Sequence, residues 1–208
     1  MSEQFWNSNL TEKSWNILVE LRKEYDFILI GGWAVYLHAQ QQKSKDIDIV
    51  VDFKELKKLK TNELSLSKND TLKKYEIKKE EIDVDIYLEY YSKLAIPAER
   101  IKDYVVEIQS FSVASSELLV ILKQGAYENI RDSIKGQKDE IDIMSLLFFS
   151  NFDIKKYKEM IKKENMPNYI DELIHLIKLF KNYHKLGLSP REFKIRKNKI
   201  LEKFKNII

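Results

Sequence analysis

The apolar positions of the chain first repeat with a helical period. After Asn9-Leu10-Thr11-Glu12, which reads as a capping box, Trp15, Leu18, Val19 and Leu21 share one face, predicting a helix over Thr11–Tyr25. Phe27-Ile28-Leu29-Ile30 predicts a short buried strand that ends at Gly31-Gly32, and Trp33–Gln40 a second helix. From Lys45 to Asp52 the period changes to two: Ile47, Ile49 and Val51 on one face, Asp46, Asp48 and Val50 on the other, as in a strand. Phe53–Lys60 reads as a short amphipathic helix and Thr61–Asp70 as a loop. Leu72–Lys79 and Glu81–Leu88 read as strands, and Tyr104–Val113 has strand character. Beyond Ser115 helical periods dominate, over about 115–134, 139–149, 153–163, 168–186 and 190–207.

Strands in the first half and helices in the second predict an α+β fold, a mixed sheet with flanking helices followed by a helical region. The boundary falls near Val113–Ser116, giving an α/β domain over 1–113 and a helical domain over 114–208 packed against it. The length, 208 residues, suits one ordinary domain or two small ones, and 44% hydrophobic residues suffice for a core.

Composition narrows the chemistry. The chain has no cysteine, which excludes disulfides, thiolate metal sites and cysteine nucleophiles. With no secretory signal pattern after Met1 and no apolar run near the ~18–20 residues of a membrane span, the expectation is a cytoplasmic protein without membrane contact. The net charge is only +3, but positive charge gathers at the C-terminus, where ten Lys and Arg residues from Lys178 to Lys205 face only Glu192 and Glu202. That stretch could bind an RNA backbone, with Phe180, Tyr183, Phe193 and Phe204 stacking on bases. The same spacing fits a solvated helical face with its aromatics in the core, the more common outcome.

Asp46 and Asp48, two apart on a strand, project from one face, which is unfavourable unless a cation lies between them. Mg²⁺ (or Mn²⁺) suits such a pair, since it takes oxygen ligands from one or two carboxylates and substrate phosphates. An exposed strand with solvated acids is the alternative. Context favours the metal: a strand ends in Gly31-Gly32, a helix begins at once, and Asp46 follows Gly32 by 14 residues. Glycines at such a turn let backbone approach a ligand, and a helix N-terminus favours phosphate. Asp83 and Asp85 again share one face of a strand, and either could supply a third carboxylate for metal or for general-base work; Asp85 is preferred, with Asp83 as substitute. Lys123 interrupts the apolar run Leu118–Leu122, so its ammonium must reach a cleft or pair with an acid. Arg131, two turns further on, could serve the same cleft or pair with Glu128 or Asp132 at the surface.

Ile30-Gly31-Gly32-Trp33-Ala34-Val35 followed by Lys45-Asp46-Ile47-Asp48-Ile49-Val50 resembles the DNA polymerase β-type nucleotidyltransferase superfamily, and within it the AbiEii-like, minimal-nucleotidyltransferase branch. Ser115-Ser116-Glu117-Leu118-Leu119 leading to Lys123, then Arg131, then Lys138-Asp139 with Asp142, is similar to the second half of that branch. The resemblance covers roughly residues 26–147. It implies that Asp46 and Asp48 bind the metals, that Gly31 and Gly32 approach a triphosphate, and that Lys123 contacts its phosphates. Asp139 is implied as a further catalytic or structural acid. Many members carry Gly-Ser at the turn, where the serine hydroxyl touches a phosphate; here Gly32 takes the serine's place.

The expected activity is Mg²⁺-dependent transfer of a nucleoside monophosphate from a nucleoside triphosphate to an acceptor hydroxyl. The acceptor would be an RNA such as tRNA, a protein or a small molecule. The resemblance also implies a toxin–antitoxin or phage-defence setting with an antitoxin protein as partner. The alternatives are an inactive module of the same fold that binds a nucleotide, an RNA or a partner protein, and a helical nucleic-acid-binding protein that uses the basic C-terminus.

Overall fold

The computed structural model describes residues 6–128 and 133–206. Helix α1 (Ser8–Glu24) begins earlier than the capping-box reading predicts, because Asn7 is the N-cap and its side chain accepts from the Asn9 N–H. Strand β1 (Ile28–Ile30) runs directly into helix α2 (Gly31–Ala39). Strand β2 (Ile47–Val51) is followed at once by α3 (Phe53–Asn62), capped by Asp52 through the Glu55 N–H. The segment read as a loop holds the end of α3 and a three-residue edge strand, β3 (Ser67–Asn69). Strands β4 (Lys74–Lys79) and β5 (Ile82–Leu88) form a hairpin.

The stretch with strand character is a hairpin of β6 (Val105–Ile108) and β7 (Phe111–Ala114), closed by Gln109 and Ser110, both at positive φ as a tight two-residue turn requires. Helices α4 (Ser116–Glu128), α5 (Ile134–Phe149), α6 (Ile154–Lys163), α7 (Tyr169–Leu179) and α8 (Pro190–Lys205) complete the chain. Helix α5 starts five residues before the predicted 139, capped by Ser133, whose side chain accepts from the Gly136 N–H. Helix α7 stops at Leu179, and a 3-10 turn at Tyr183–Leu186 occupies the end of the predicted 168–186 helix.

The seven strands form one mixed sheet in the order β3-β4-β5-β2-β1-β7-β6, with helices packed on it, so the α+β expectation holds. The centre of the sheet reads as the sequence predicts: Leu29, Ile47, Ile49, Val84 and Ile86 are fully buried. Strand β2 runs antiparallel to β1 and parallel to β5. That parallel register sets Asp48 beside Asp85, and it is what positions the site. The aromatics of the basic C-terminal stretch are packing residues: Phe180, Phe193 and Phe204 are buried, and Tyr183 stacks on Phe193 with ring centroids 5.4 Å apart. Among the described residues no helix is long and apolar enough to cross a membrane.

Candidate functional site

A cleft of about 410 Å³ opens between the carboxylate-bearing strands and the helices α4 and α5. That volume lies in the range that holds a nucleotide-sized ligand. Gly31, Gly32, Asp46, Asp48 and Asp85 line it from the sheet side, and Lys123 and Asp139 from the helical side. Asp83 does not: its side chain is half exposed and lies 4.0 Å from Lys78. Period two could not separate Asp83 from Asp85, and the structure brings Asp85 to the cleft. Arg131 lies outside the described residues.

The glycine pair is explained by this chain's own side chains. Gly31 has φ +66°, and a Cβ there would stand 2.0 Å from Asp48 Oδ2. Both backbone conformation and space require glycine, and the requirement comes from Asp48 lying against the first turn of α2. At Gly32 a Cβ would stand 2.5 Å from Ser44 Oγ. A seryl hydroxyl therefore occupies the place where a residue-32 side chain would begin, but it arrives from the loop before β2. Ser44 is buried and lines the cleft, and sequence reading gave it no role.

The sheet wall is acidic. Burial and the neighbouring Asp85 push the Asp48 carboxyl up to about 6. Burial also raises Asp46, against the pull of Lys45, which lies 3.7 Å away. Asp85 is partnered: Lys74 of β4 reaches its Oδ2 at 2.6 Å and Glu76 at 3.0 Å. Burial works against the Lys74 charge, but Asp85 and Glu76 outweigh it and raise its pKa. Tyr87, two residues beyond Asp85 on the same face, also lines the cleft. Burial, and then Asp48 and Asp85 beside it, keep its phenol protonated well above the usual range.

The helical wall differs. Lys123 Nζ lies 2.5 Å from Asp139 Oδ1 and 2.9 Å from Asp142 Oδ2, and Lys138 pairs with the other oxygen of Asp142. Apart from Lys123, whose side chain is 15% exposed, these side chains are almost wholly buried. Burial opposes the Lys123 charge, but Asp139 and Asp142 overcome it and hold the ammonium well above its ordinary pKa. Lys123 thus does both things its sequence context allows: it lines the cleft, and it pairs with acids. Lys138 and Asp142 stood in the Lys-Asp motif without an assigned role. Among the described residues Asp139 Oδ2 is buried with no hydrogen-bond partner, an unmet acceptor on this wall.

The donors on the sheet wall are hard oxygens; among the described residues Asp48 has no ion-pair partner and Asp46 has only the loose contact to Lys45 at 3.7 Å, which suits a divalent cation. Among the described residues no group of three carboxylates or imidazoles stands close enough together to hold a metal ion. The fit is therefore to a cation that completes its shell with ligand oxygens and water, with Asp46 and Asp48 as the protein's share.

No family model matches the chain, and no curated protein matches it in sequence. Among solved structures it is similar to a proposed nucleotidyltransferase of H. pylori, with TM-score 0.50 and 16% identity, covering 98% of this chain and 99% of that one. A second is JHP933 of Helicobacter pylori, at TM-score 0.48 and 15% identity, over 96% of this chain and 95% of that one. A third is an antigenic nucleotidyltransferase-like protein of Paracoccidioides brasiliensis, at TM-score 0.39 and 14% identity, over 80% and 93%. At these identities the likeness concerns fold: the chain has a nucleotidyltransferase-like fold.

Proposed function

We propose that the protein is a Mg²⁺-dependent nucleotidyltransferase that moves a nucleoside monophosphate from a nucleoside triphosphate to an acceptor hydroxyl. One observation carries this reading: the parallel register of β2 and β5 sets Asp48 beside Asp85, on a cleft that Asp46 and the Gly31-Gly32 turn also line. Asp46 and Asp48 would hold the cation. When bound, it would supply charge neutralisation and polarisation of phosphate oxygens. The first turn of α2, with Ser44 beside it, offers N–H and O–H donors to phosphate oxygens. Asp85, held in place by Lys74 at 2.6 Å, would accept the proton of the acceptor hydroxyl. The acceptor oxygen bonds to the α-phosphorus, the bond from that phosphorus to the bridging oxygen breaks, and pyrophosphate leaves.

The sequence likeness of Ile30–Val35 and Lys45–Val50 to the AbiEii-like branch supports an RNA, tRNA included, as acceptor, and a protein antitoxin as partner. The test incubates the full chain with each of the four α-labelled nucleoside triphosphates, total RNA and Mg²⁺ or Mn²⁺. Expected are labelled RNA and released pyrophosphate, both absent with Asp46→Asn/Asp48→Asn. Wild-type signals no higher than the double variant's, with every nucleotide and both metals, would sink the reading in favour of a binding module.

A further inference from the structure

Four lysines line the cleft: Lys45, Lys123, Lys135 and Lys138. Three have their charge engaged. Lys45 lies near Asp46 and over the Trp6 ring, 5.0 Å from its centroid. Lys123 and Lys138 are held by Asp139 and Asp142. With two lysines and two aspartates, that group is neutral as it stands. A ligand phosphate that drew Lys123 away would leave the buried Asp139 without its partner, which is strongly unfavourable.

Lys135 is different. It is exposed at the cleft and has no ion pair or ring contact among the described residues. It sits in the first turn of α5, directly after the Ser133 cap, where unsatisfied N–H groups add partial positive charge. It lines the same cleft as Asp46 and Asp48, from the opposite wall.

We infer that Lys135 is the residue that meets the anionic charge of the ligand in this cleft, a polyphosphate chain, while Lys123 and Lys138 serve as fixed counter-charges to Asp139 and Asp142. The inference rests on the nucleotidyltransferase reading for the class of ligand. The motif resemblance gives the phosphate contact to Lys123; the charge balance of the helical wall reassigns it. A lysine acts on phosphate as a point charge, so arginine should replace it and alanine should not.

The experiment measures binding of Mg²⁺-ATP and of Mg²⁺-tripolyphosphate to the full chain by calorimetry, with melting temperature as a control. Lys135→Ala is expected to weaken both ligands about tenfold and Lys135→Glu more, with Lys135→Arg within about threefold of wild type. The melting temperatures of all three should match wild type, because the side chain is exposed and unpaired. Lys199→Ala, another exposed lysine, should bind like wild type. Lys135→Glu binding within twofold of wild type would overturn the inference and leave the nucleotidyltransferase reading standing. Equal weakening by Lys199→Ala would also overturn it, as a general effect of charge. If wild type binds neither ligand, the inference and the reading beneath it fall together.

Discussion

The two walls of the cleft handle charge in opposite ways. The helical wall carries Lys123, Lys138, Asp139 and Asp142, and each charge has an ion-pair partner within the wall, although Asp139 Oδ2 accepts no hydrogen bond among the described residues. The sheet wall carries Asp46, Asp48 and Asp85; among the described residues Lys74 holds Asp85 at 2.6 Å, Lys45 stands off Asp46 at 3.7 Å, and Asp48 has no ion pair. Both walls concentrate ionisable groups in a low-dielectric place, but the first balances its charges internally and the second does not. A self-satisfied wall is scaffold: its charges hold α4 against α5. An unsatisfied wall is a standing cost to the fold, tolerated where a ligand cation supplies the missing charge. A cluster of charged residues in a cleft therefore says little about binding until its internal pairs are subtracted.

The largest expected effect tests the helical wall. Lys123→Met removes one ammonium from two buried carboxylates, and breaking such a pair costs about 3–5 kcal/mol. Urea denaturation should show that loss with the unfolding slope unchanged. In a cycle with Asp139→Asn, the double variant should lose less than the sum of the singles. If Lys123→Met lies within about 1 kcal/mol of wild type, the helical wall is not self-satisfied and the contrast between the walls collapses.

The next effect tests the sheet wall through pH, in protein kept metal-free by chelator. Asp48 has a folded pKa of about 6 against 3.8 for an ordinary aspartate carboxyl. Between those values the folded protein holds a proton that the unfolded chain has released, so stability falls as pH rises through that window. The loss is complete above the folded value and amounts to at most about 3 kcal/mol, less what solvent screening removes from a half-buried group. Asp48→Asn abolishes the titration. The variant should be more stable than wild type at pH 7, and the advantage should vanish near pH 4. An equal or larger gain at pH 4 would show that the carboxylate is not strained by its surroundings.

A smaller effect asks whether a cation relieves that strain. Mg²⁺ at about ten times its dissociation constant should raise wild-type stability by about 1.4 kcal/mol, since it binds the native state alone. Asp46→Asn/Asp48→Asn should show no such gain in thermal melts, while Lys123→Met, whatever its starting stability, should retain it. A metal shift that survives in the double aspartate variant would place the cation elsewhere.

How much of this was legible in the sequence differs between the walls. Alternation in Lys45–Asp52 and Glu81–Leu88 revealed two strands with acids on one face, because period two is a local property. The neighbour relation of Asp48 and Asp85 was not legible, since parallel register is set by the whole sheet; for the same reason Asp83 and Asp85 stayed equivalent. Strand β3 is exposed or half-buried throughout and has no apolar face to announce it. The start of α5 was missed because Gly136 interrupts the helical pattern and the Ser133 cap precedes no apolar periodicity. Lys123 was legible as a lysine in an apolar run, but its partners lie on the next helix. Lys74, Ser44 and Lys135 gave no signal at all. Each matters only through what the fold sets beside it.

The smallest effect sharpens the contrast at the one place where it blurs. Asp85 belongs to the sheet wall by position, yet Lys74 pairs with it at 2.6 Å, with side-chain exposures of 12% and 15%. Lys74 thus does internally, for one carboxylate, what a cation is proposed to do for the other two. Removing it should shift Asp85 into the unsatisfied class. Lys74→Met should then lower the stability of the metal-free protein by about 1 kcal/mol, less than Lys123→Met, because Lys74 serves one buried acid rather than two and Glu76 remains partly open to solvent. The same change should strengthen Mg²⁺ binding by roughly threefold, since a third carboxylate loses its competing partner and adds its charge to the cleft. The two measurements must move in opposite directions: a lower midpoint in urea without metal, and a lower Mg²⁺ concentration for half of the thermal shift. If Lys74→Met weakens both stability and metal binding, Lys74 holds the geometry of β4 and β5 rather than competing for Asp85. The sheet wall would then be partly self-satisfied, as the helical wall is.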